Sequence, residues 1–171
     1  MADPPPAAYS SVGKIRQADE LVAELDRRRA RGETVVFTNG CFDLLHAGHV
    51  RYLEQCRAYG QVLVVGLNSD ASVRAQDKDS DRPIVPEDQR AQVLAALEAI
   101  DYVVLFDEPT SQQIIEKIAP DVLVKGSDWA QAGVVGRDFV ELRGGKVVLA
   151  PLVEGVSTTN IVERIRKGAG P

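Results

Sequence analysis

The chain reads as an α/β protein of the Rossmann-like, doubly wound kind, with a five-stranded parallel sheet and helices on both faces. Three observations predict this. Strand-like and helix-like segments alternate along most of the sequence, as they do where crossover helices join parallel strands. The strand-like segments are near-continuous apolar runs such as Val62-Leu63-Val64-Val65, which marks strands covered on both faces. The polar clusters follow those runs, at the carboxyl ends where open sheets of this type hold their ligands.

At 171 residues the chain suits one domain, large enough to remove roughly two-thirds of its unfolded surface from water. Residues 1–12, rich in Pro, Ala and Ser, are expected to be a flexible tail, since Pro4-Pro5-Pro6 donate no backbone hydrogen bonds. The single domain then runs over 13–171, as an N-terminal helical segment over 13–33 and a core over 34–167. Gln17 to Arg31 places Leu21, Val22 and Leu25 at helical spacing. Arg27-Arg28-Arg29 suits the negative end of that helix, and Gly32 stops it.

A strand is expected from Thr34 to Thr38, a helix from Ala47 to Tyr59 and a second strand from Gln61 to Leu67. Val73 to Pro86 is polar, charged and interrupted by Pro83, and is expected to be a long mobile loop of the kind that covers a site. The remaining helices are read at Pro86 to Ala99, Ser111 to Ile118 and Thr158 to Lys167. The remaining strands are read at Asp101 to Phe106, Val122 to Lys125 and Lys146 to Ala150. No internal repeat is evident.

Hydrophobic residues at 44%, charged residues at 26% and a net charge of −5 are ordinary globular values. The acidic balance argues against a nucleic-acid partner held by general phosphate attraction, so an anionic ligand would need a local basic cluster. The two cysteines, Cys41 and Cys56, suit a reduced compartment better than a disulfide scaffold. The N-terminus has neither a basic nor an apolar leader region, and no apolar run approaches the ~20 residues of a membrane span. The expectation is a soluble cytoplasmic protein with no membrane partner.

Thr38-Asn39-Gly40-Cys41-Phe42-Asp43-Leu44-Leu45-His46-Ala47-Gly48-His49 is the most informative stretch. An apolar strand runs through a Gly-containing turn into a new helix carrying both of the chain's two histidines. Residues three apart share a helix face, so His46 and His49 can point at one object beside the electropositive helix start. That arrangement suits a reacting phosphate. A metal site completed by Cys41 or Asp43, and ordinary surface or cap histidines, are the alternatives. Three further clusters converge on the same sheet edge: Asn68-Ser69-Asp70, Lys125-Gly126-Ser127-Asp128 and Gly155-Val156-Ser157-Thr158-Thr159.

Thr38 to His49, with Val156 to Ile161 near the end, resembles the nucleotidyltransferase superfamily whose signatures are an HxGH motif and a late STT-type motif. The likeness runs from about Lys14 to Arg166. Within it, Gly66 to Arg74, Asp81-Arg82-Pro83-Ile84, Leu94 to Glu98, Asp121 to Gly126 and Gly155 to Asn160 are most similar to the D-glycero-β-D-manno-heptose 1-phosphate adenylyltransferases. These occur alone or fused to a sugar kinase, and a chain of this length has room for the transferase alone.

The resemblance implies transfer of AMP from ATP to heptose 1-phosphate, giving ADP-heptose and pyrophosphate, a step toward lipopolysaccharide inner core. No protein nucleophile is then needed, because the sugar phosphate attacks the α-phosphorus in line. His46 and His49 would stabilise the pentacovalent phosphorus, and Thr38, Asn39, Gly40, Cys41 and Phe42 would line the nucleotide with backbone amides. Val156, Ser157, Thr158 and Thr159 would receive the β- and γ-phosphates, although plain capping, with Asn160 and Glu163 at capping-box spacing, explains part of that segment.

Cytidylyltransferase relatives carry an Arg-Thr pair where this chain has Leu152-Val153-Glu154, so other cations must serve. Lys78, counted with the catalytic group, Arg82 and Lys125 followed by Gly126 are the candidates, with Lys14 as an extra phosphate contact. Asp43, Asn68 and Asp70 would form the sugar pocket, Asp128 would take sugar or ribose hydroxyls, and Trp129 would wall the base or the sugar. A turn or cap role is the alternative for Asp43. Arg90 reads as a surface charge or part of a subunit contact. Mg2+ is expected to ride on the ATP phosphates without a dedicated protein cage, and the relatives imply a homodimer.

Two other functions fit parts of the pattern: a cytidylyltransferase acting on glycerol 3-phosphate or another small phosphate, and a non-catalytic ATP-binding sensor. A class I aminoacyl-tRNA synthetase, which uses a related histidine motif, lacks support here because no basic surface excess is present.

Overall fold

Val35-Val36-Phe37, Val62 to Val65 and Val122-Leu123-Val124 are buried to the last side chain, and β-branched runs of this kind fit the pleat of a sheet packed on both faces. They form the central strands in the computed structural model, whose described residues are 10–76, 82–130, 133–151, 155 and 157–168. Strands β1 (Val35–Gly40), β2 (Val62–Asn68), β3 (Tyr102–Phe106), β4 (Val122–Gly126) and β5 (Lys146–Ala150) make one parallel sheet in the order 3-2-1-4-5.

Successive strand residues face opposite layers. Val35, Phe37, Val62, Val64 and Leu123 pack with Leu21 and Leu25 of α1 (Ala18–Ala30), with α5 (Gln112–Ile118) and with α6 (Arg137–Leu142). Val36, Leu63, Val65, Val122 and Val124 pack on the other side with Leu53 and Cys56 of α2 (Ala47–Arg57) and with Ala91, Leu94 and Ala95 of α4 (Glu87–Ala95). Each fully buried Leu or Val in these layers is worth ~1.5–3 kcal/mol. The α/β doubly wound expectation describes the molecule. No helix among the described residues is long and apolar enough to cross a membrane.

Several boundaries differ from the sequence reading. β1 continues to Gly40, pairing Asn39 with Gly66 and Gly40 with Leu67, so two residues expected in a turn lie in the sheet. The expected tail extends too far inward: Ser11–Lys14 is a 3-10 turn, and Ile15 bridges Val103 at the open edge of β3, where it covers backbone groups that would otherwise be bare. α3 (Asp70–Ala75) takes the first residues of the expected loop, with Ser69 as its N-cap accepting from the Ser72 N–H at 3.1 Å. α3 and α6 span six residues each, fewer than two turns, so neither carries a readable period. The last helix, α7, is Thr158–Arg166.

Two cations stitch helix ends at the amino-terminal side of the sheet. Arg29 donates to the Ile118 and Ala119 carbonyls at 2.7 and 2.9 Å. Lys14 donates to the Leu97 and Ile100 carbonyls at 3.0 and 2.7 Å. Both bind carbonyls at or just beyond a helix end. Lys14 is therefore corrected from phosphate contact to structural tie, since its ammonium is spent beside the start of β3, at the edge opposite the polar clusters.

Candidate active site

Strand order reverses between β1 and β4, and the crevice beyond their carboxyl ends is where open sheets of this topology accept ligands. Lys125 at the end of β4 is buried and donates to Asn39 Oδ1 at the end of β1, bridging the crevice floor. Below it, Thr38 Oγ1 shares a 2.8 Å hydrogen bond with the Tyr52 hydroxyl, which also donates to the Val124 carbonyl at 3.3 Å. Burial pushes the Tyr52 phenol well above its usual range. Thr38, fully buried in β1, thus supports the crevice from beneath rather than lining it.

The turn that leaves β1 is held from several sides. Phe42 has φ +44°, a left-handed conformation that costs a non-Gly residue ~1–2 kcal/mol. Its ring folds back over Gly40, where an added Cβ would sit 3.1 Å from the ring. Asp43, 5% exposed, accepts from the Ile84 N–H at 2.9 Å, the Val85 N–H at 2.9 Å and Arg82 Nη1 at 3.3 Å. Its carboxylate clamps the segment entering α4. The structure engages Asp43, expected in the sugar pocket, and Arg82, expected as a phosphate cation, in this clamp, which is neither the sugar role nor the local turn or cap role weighed for Asp43.

Asn68 and Asp70 are corrected likewise. Asn68 is buried and donates to Ser72 Oγ at 2.9 Å, while Asp70 accepts from Arg90 Nη2 at 2.6 Å and its N–H donates to Glu87 Oε2 at 2.5 Å. Arg90 is no surface charge: it is 1% exposed, and besides Asp70 it donates to the carbonyls of Cys41, Asn68 and Val85. The signal for it lay in the spacing, because Arg90 stands one turn before Leu94, on the stripe that Ala91 and Ala95 also share.

His46 is the N-cap of α2 and makes no side-chain cap, so the first amides of that helix remain available to an incoming anion. The His46 and His49 rings stack with centroids 3.9 Å apart, and Phe42 meets His49 edge-on at 5.4 Å. Nδ1 of each histidine is buried with no hydrogen-bond partner. Burial lowers the pKa of both; His49 falls to about 4, first through burial and then through repulsion from His46. Two neutral imidazoles therefore stand side by side at the positive end of a helix.

The opening of α7 meets the same turn. Thr158 Oγ1 donates to the Leu44 carbonyl at 3.3 Å, and Ser157 caps α7 by accepting from the Asn160 N–H at 3.1 Å. Capping thus begins at Ser157, three residues before the Asn160 to Glu163 pair suggested by spacing. The Ser157 hydroxyl hydrogen is still able to donate elsewhere. Thr159 and Asp128 are exposed and Gly126 is buried at the β4 end. Lys78, Val156 and the Trp129 side chain lie outside the described residues. Asp43 is engaged as above, and Cys41 Sγ donates to Gln76 Oε1 at 3.8 Å. Among the described residues no group of three His, Cys, Asp or Glu could hold a metal ion. Neither cysteine is in a disulfide.

Residues 37–164 match the family model described as cytidylyltransferase-like. The bifunctional protein HldE of Citrifermentans bemidjiense is 55% identical over 92% of this chain and 32% of its own length. HldE of Geobacter metallireducens is 54% identical over 94% of this chain and 32% of its own. The chain thus spans about a third of the length of the curated relatives it matches. Among solved structures, the lipopolysaccharide core biosynthesis protein from Thermoplasma volcanium superposes with a TM-score of 0.59 at 27% identity, covering 71% of this chain and 98% of that one. Pantothenate synthetase from Thermus thermophilus, at a TM-score of 0.61 and 20% identity over 91% of this chain and 70% of that one, shares the fold.

Proposed function

The chain belongs to the cytidylyltransferase-like family, and on that footing we propose that it transfers AMP from ATP to D-glycero-β-D-manno-heptose 1-phosphate, releasing pyrophosphate and ADP-heptose. The observation that carries this reading is the stacked histidine pair at the uncapped start of α2, set at the reversal point of the sheet beside the opening of α7. The bifunctional HldE relatives and the motifs shared with heptose 1-phosphate adenylyltransferases support the choice of substrates.

An oxygen of the sugar phosphate attacks the α-phosphorus of ATP. That P–O bond forms as the bond to the β-phosphate oxygen breaks, and pyrophosphate leaves with the electron pair. The protein's part is to place two anions in line and to stabilise the charge gathering on the equatorial oxygens. Neutral His46 and His49 each carry one N–H to donate, and the α2 dipole adds a fixed positive potential. Lys125, Gly126, Asp128, Asn39 to Phe42 and Ser157 to Thr159 surround the nucleotide in this reading. Lys78 and Val156 keep the phosphate roles that the resemblance implies. Mg2+, in this reading, would be held mainly by the ATP phosphates and would neutralise part of their charge. Cytoplasmic location and a homodimer complete the proposal.

The test is a pyrophosphate-release screen of ATP and CTP against heptose 1-phosphate and glycerol 3-phosphate. ATP with heptose 1-phosphate is expected to turn over fastest, and His46→Ala or His49→Ala to slow it by ~10²–10³-fold. Preference for CTP and glycerol 3-phosphate would replace the reading with a cytidylyltransferase. Saturable ATP binding with no pyrophosphate from any acceptor would replace it with a nucleotide sensor.

A further inference from the structure

AMP transfer by itself calls for no guanidinium sealed beneath the sheet edge, yet Arg90 is among the largest side chains wholly removed from solvent. Burying a charge costs several kcal/mol unless good geometry and further hydrogen bonds offset it, and an apolar side chain of similar volume would often serve packing as well. Four of the five guanidinium N–H donors are engaged. Nε donates to the Val85 carbonyl at 2.9 Å, Nη1 to the Cys41 carbonyl at 2.6 Å and the Asn68 carbonyl at 2.9 Å, and Nη2 pairs with Asp70 at 2.6 Å. One of those partners is an anion. The other three are backbone carbonyls from three segments that meet at the carboxyl edge of the sheet.

The Cys41 carbonyl matters most, because it belongs to the same peptide as the Phe42 N–H. The two groups of a trans peptide point in opposite directions, so holding the carbonyl inward on Arg90 turns the Phe42 N–H outward. Phe42 has φ +44°, which a residue with a Cβ keeps only where its surroundings impose it. Without the grip on Cys41, rotation of this peptide would relieve the strain and present a carbonyl oxygen where a phosphate needs a donor.

We infer that Arg90 is a positioning residue of the nucleotide site: by gripping the Cys41 carbonyl it fixes the Cys41 to Phe42 peptide with its N–H, not its oxygen, toward the bound phosphates. This rests on the nucleotidyltransferase reading of the turn. Arg90→Lys keeps the charge and the reach to Asp70 but loses the planar fork that spans separate carbonyls. The variant is expected to lower kcat for pyrophosphate release by ~30–100-fold while KM for the sugar phosphate stays within about threefold. Amide hydrogen exchange over 40–46 should quicken at least ~10-fold, with β3 and α5 unchanged. A kcat loss no larger than the loss of folded protein, or exchange that quickens evenly along the chain, overturns the inference.

A second measurement needs no variant. In the wild-type protein titrated with α,β-methylene ATP, the Phe42 amide resonance is expected to shift as strongly as any in the turn. If it stays still while those of His46 and His49 move, the inference fails. Should the wild type release no pyrophosphate, the proposed reaction fails, while the exchange and resonance measurements still decide the role of Arg90.

Discussion

Replacing His49 with Asn removes a titrating group that folding holds neutral, and the consequence can be read as a pH dependence of stability. Burial, reinforced by His46, lowers the His49 pKa from 6.5 to about 4. At 1.36 kcal/mol per pH unit this disfavours the imidazolium by ~3 kcal/mol, and because the ring is not wholly enclosed, solvent screening trims the effect to about 2 kcal/mol. Above pH 6.5 neither the folded nor the unfolded chain protonates this ring, so it contributes no slope. Between 6.5 and about 4 the unfolded chain binds the proton first, and stability falls with the pH until the folded ring also protonates. Urea unfolding at pH 7.5 and 4.5 isolates the effect, since the other titrating groups are common to wild type and His49→Asn. The wild type is expected to lose about 2 kcal/mol more than the variant over that interval. Parallel losses would refute the claim that the pair is held neutral, and with it the picture of two uncharged donors at the start of α2.

Two further substitutions test the corrected roles. Lys14→Met removes two hydrogen bonds to carbonyls and should cost ~1–3 kcal/mol in denaturant unfolding with KM for ATP unchanged; a tenfold rise in that KM would return Lys14 to the phosphate site. Asp43→Asn weakens acceptance from Ile84, Val85 and Arg82. It should cost ~1.5–3 kcal/mol and expose the 82–85 segment to limited proteolysis, and wild-type resistance would count against the clamp.

How much of this was legible in the chain follows from the range of each interaction. The sheet could be read because Val62 to Val65 and Val122 to Val124 are local apolar runs, and the start of α2 because the strand, turn and histidine pair are contiguous. The tasks of Arg90, Asp43 and Lys14 were not legible, because each depends on partners far along the chain. Arg90 bonds Cys41 from 49 positions away, and Lys14 reaches Ile100 across 86. A carboxylate or a guanidinium looks the same in sequence whether it meets water, a sugar or a backbone carbonyl.

The order of residues alone settled the alternation of strands and helices and the gathering of the histidine pair at the start of α2, since these depend on periodicity and on neighbours within a turn. Folding settled which charged groups stay open to a ligand. The 3-2-1-4-5 order carries α4 beneath the turn after β1, and there the buried guanidinium and carboxylate must find partners inside the protein because water is excluded. Asp43, Asp70 and Arg90 were thereby committed to holding the turn, and the histidine pair was left at the start of α2 with each Nδ1 unpartnered.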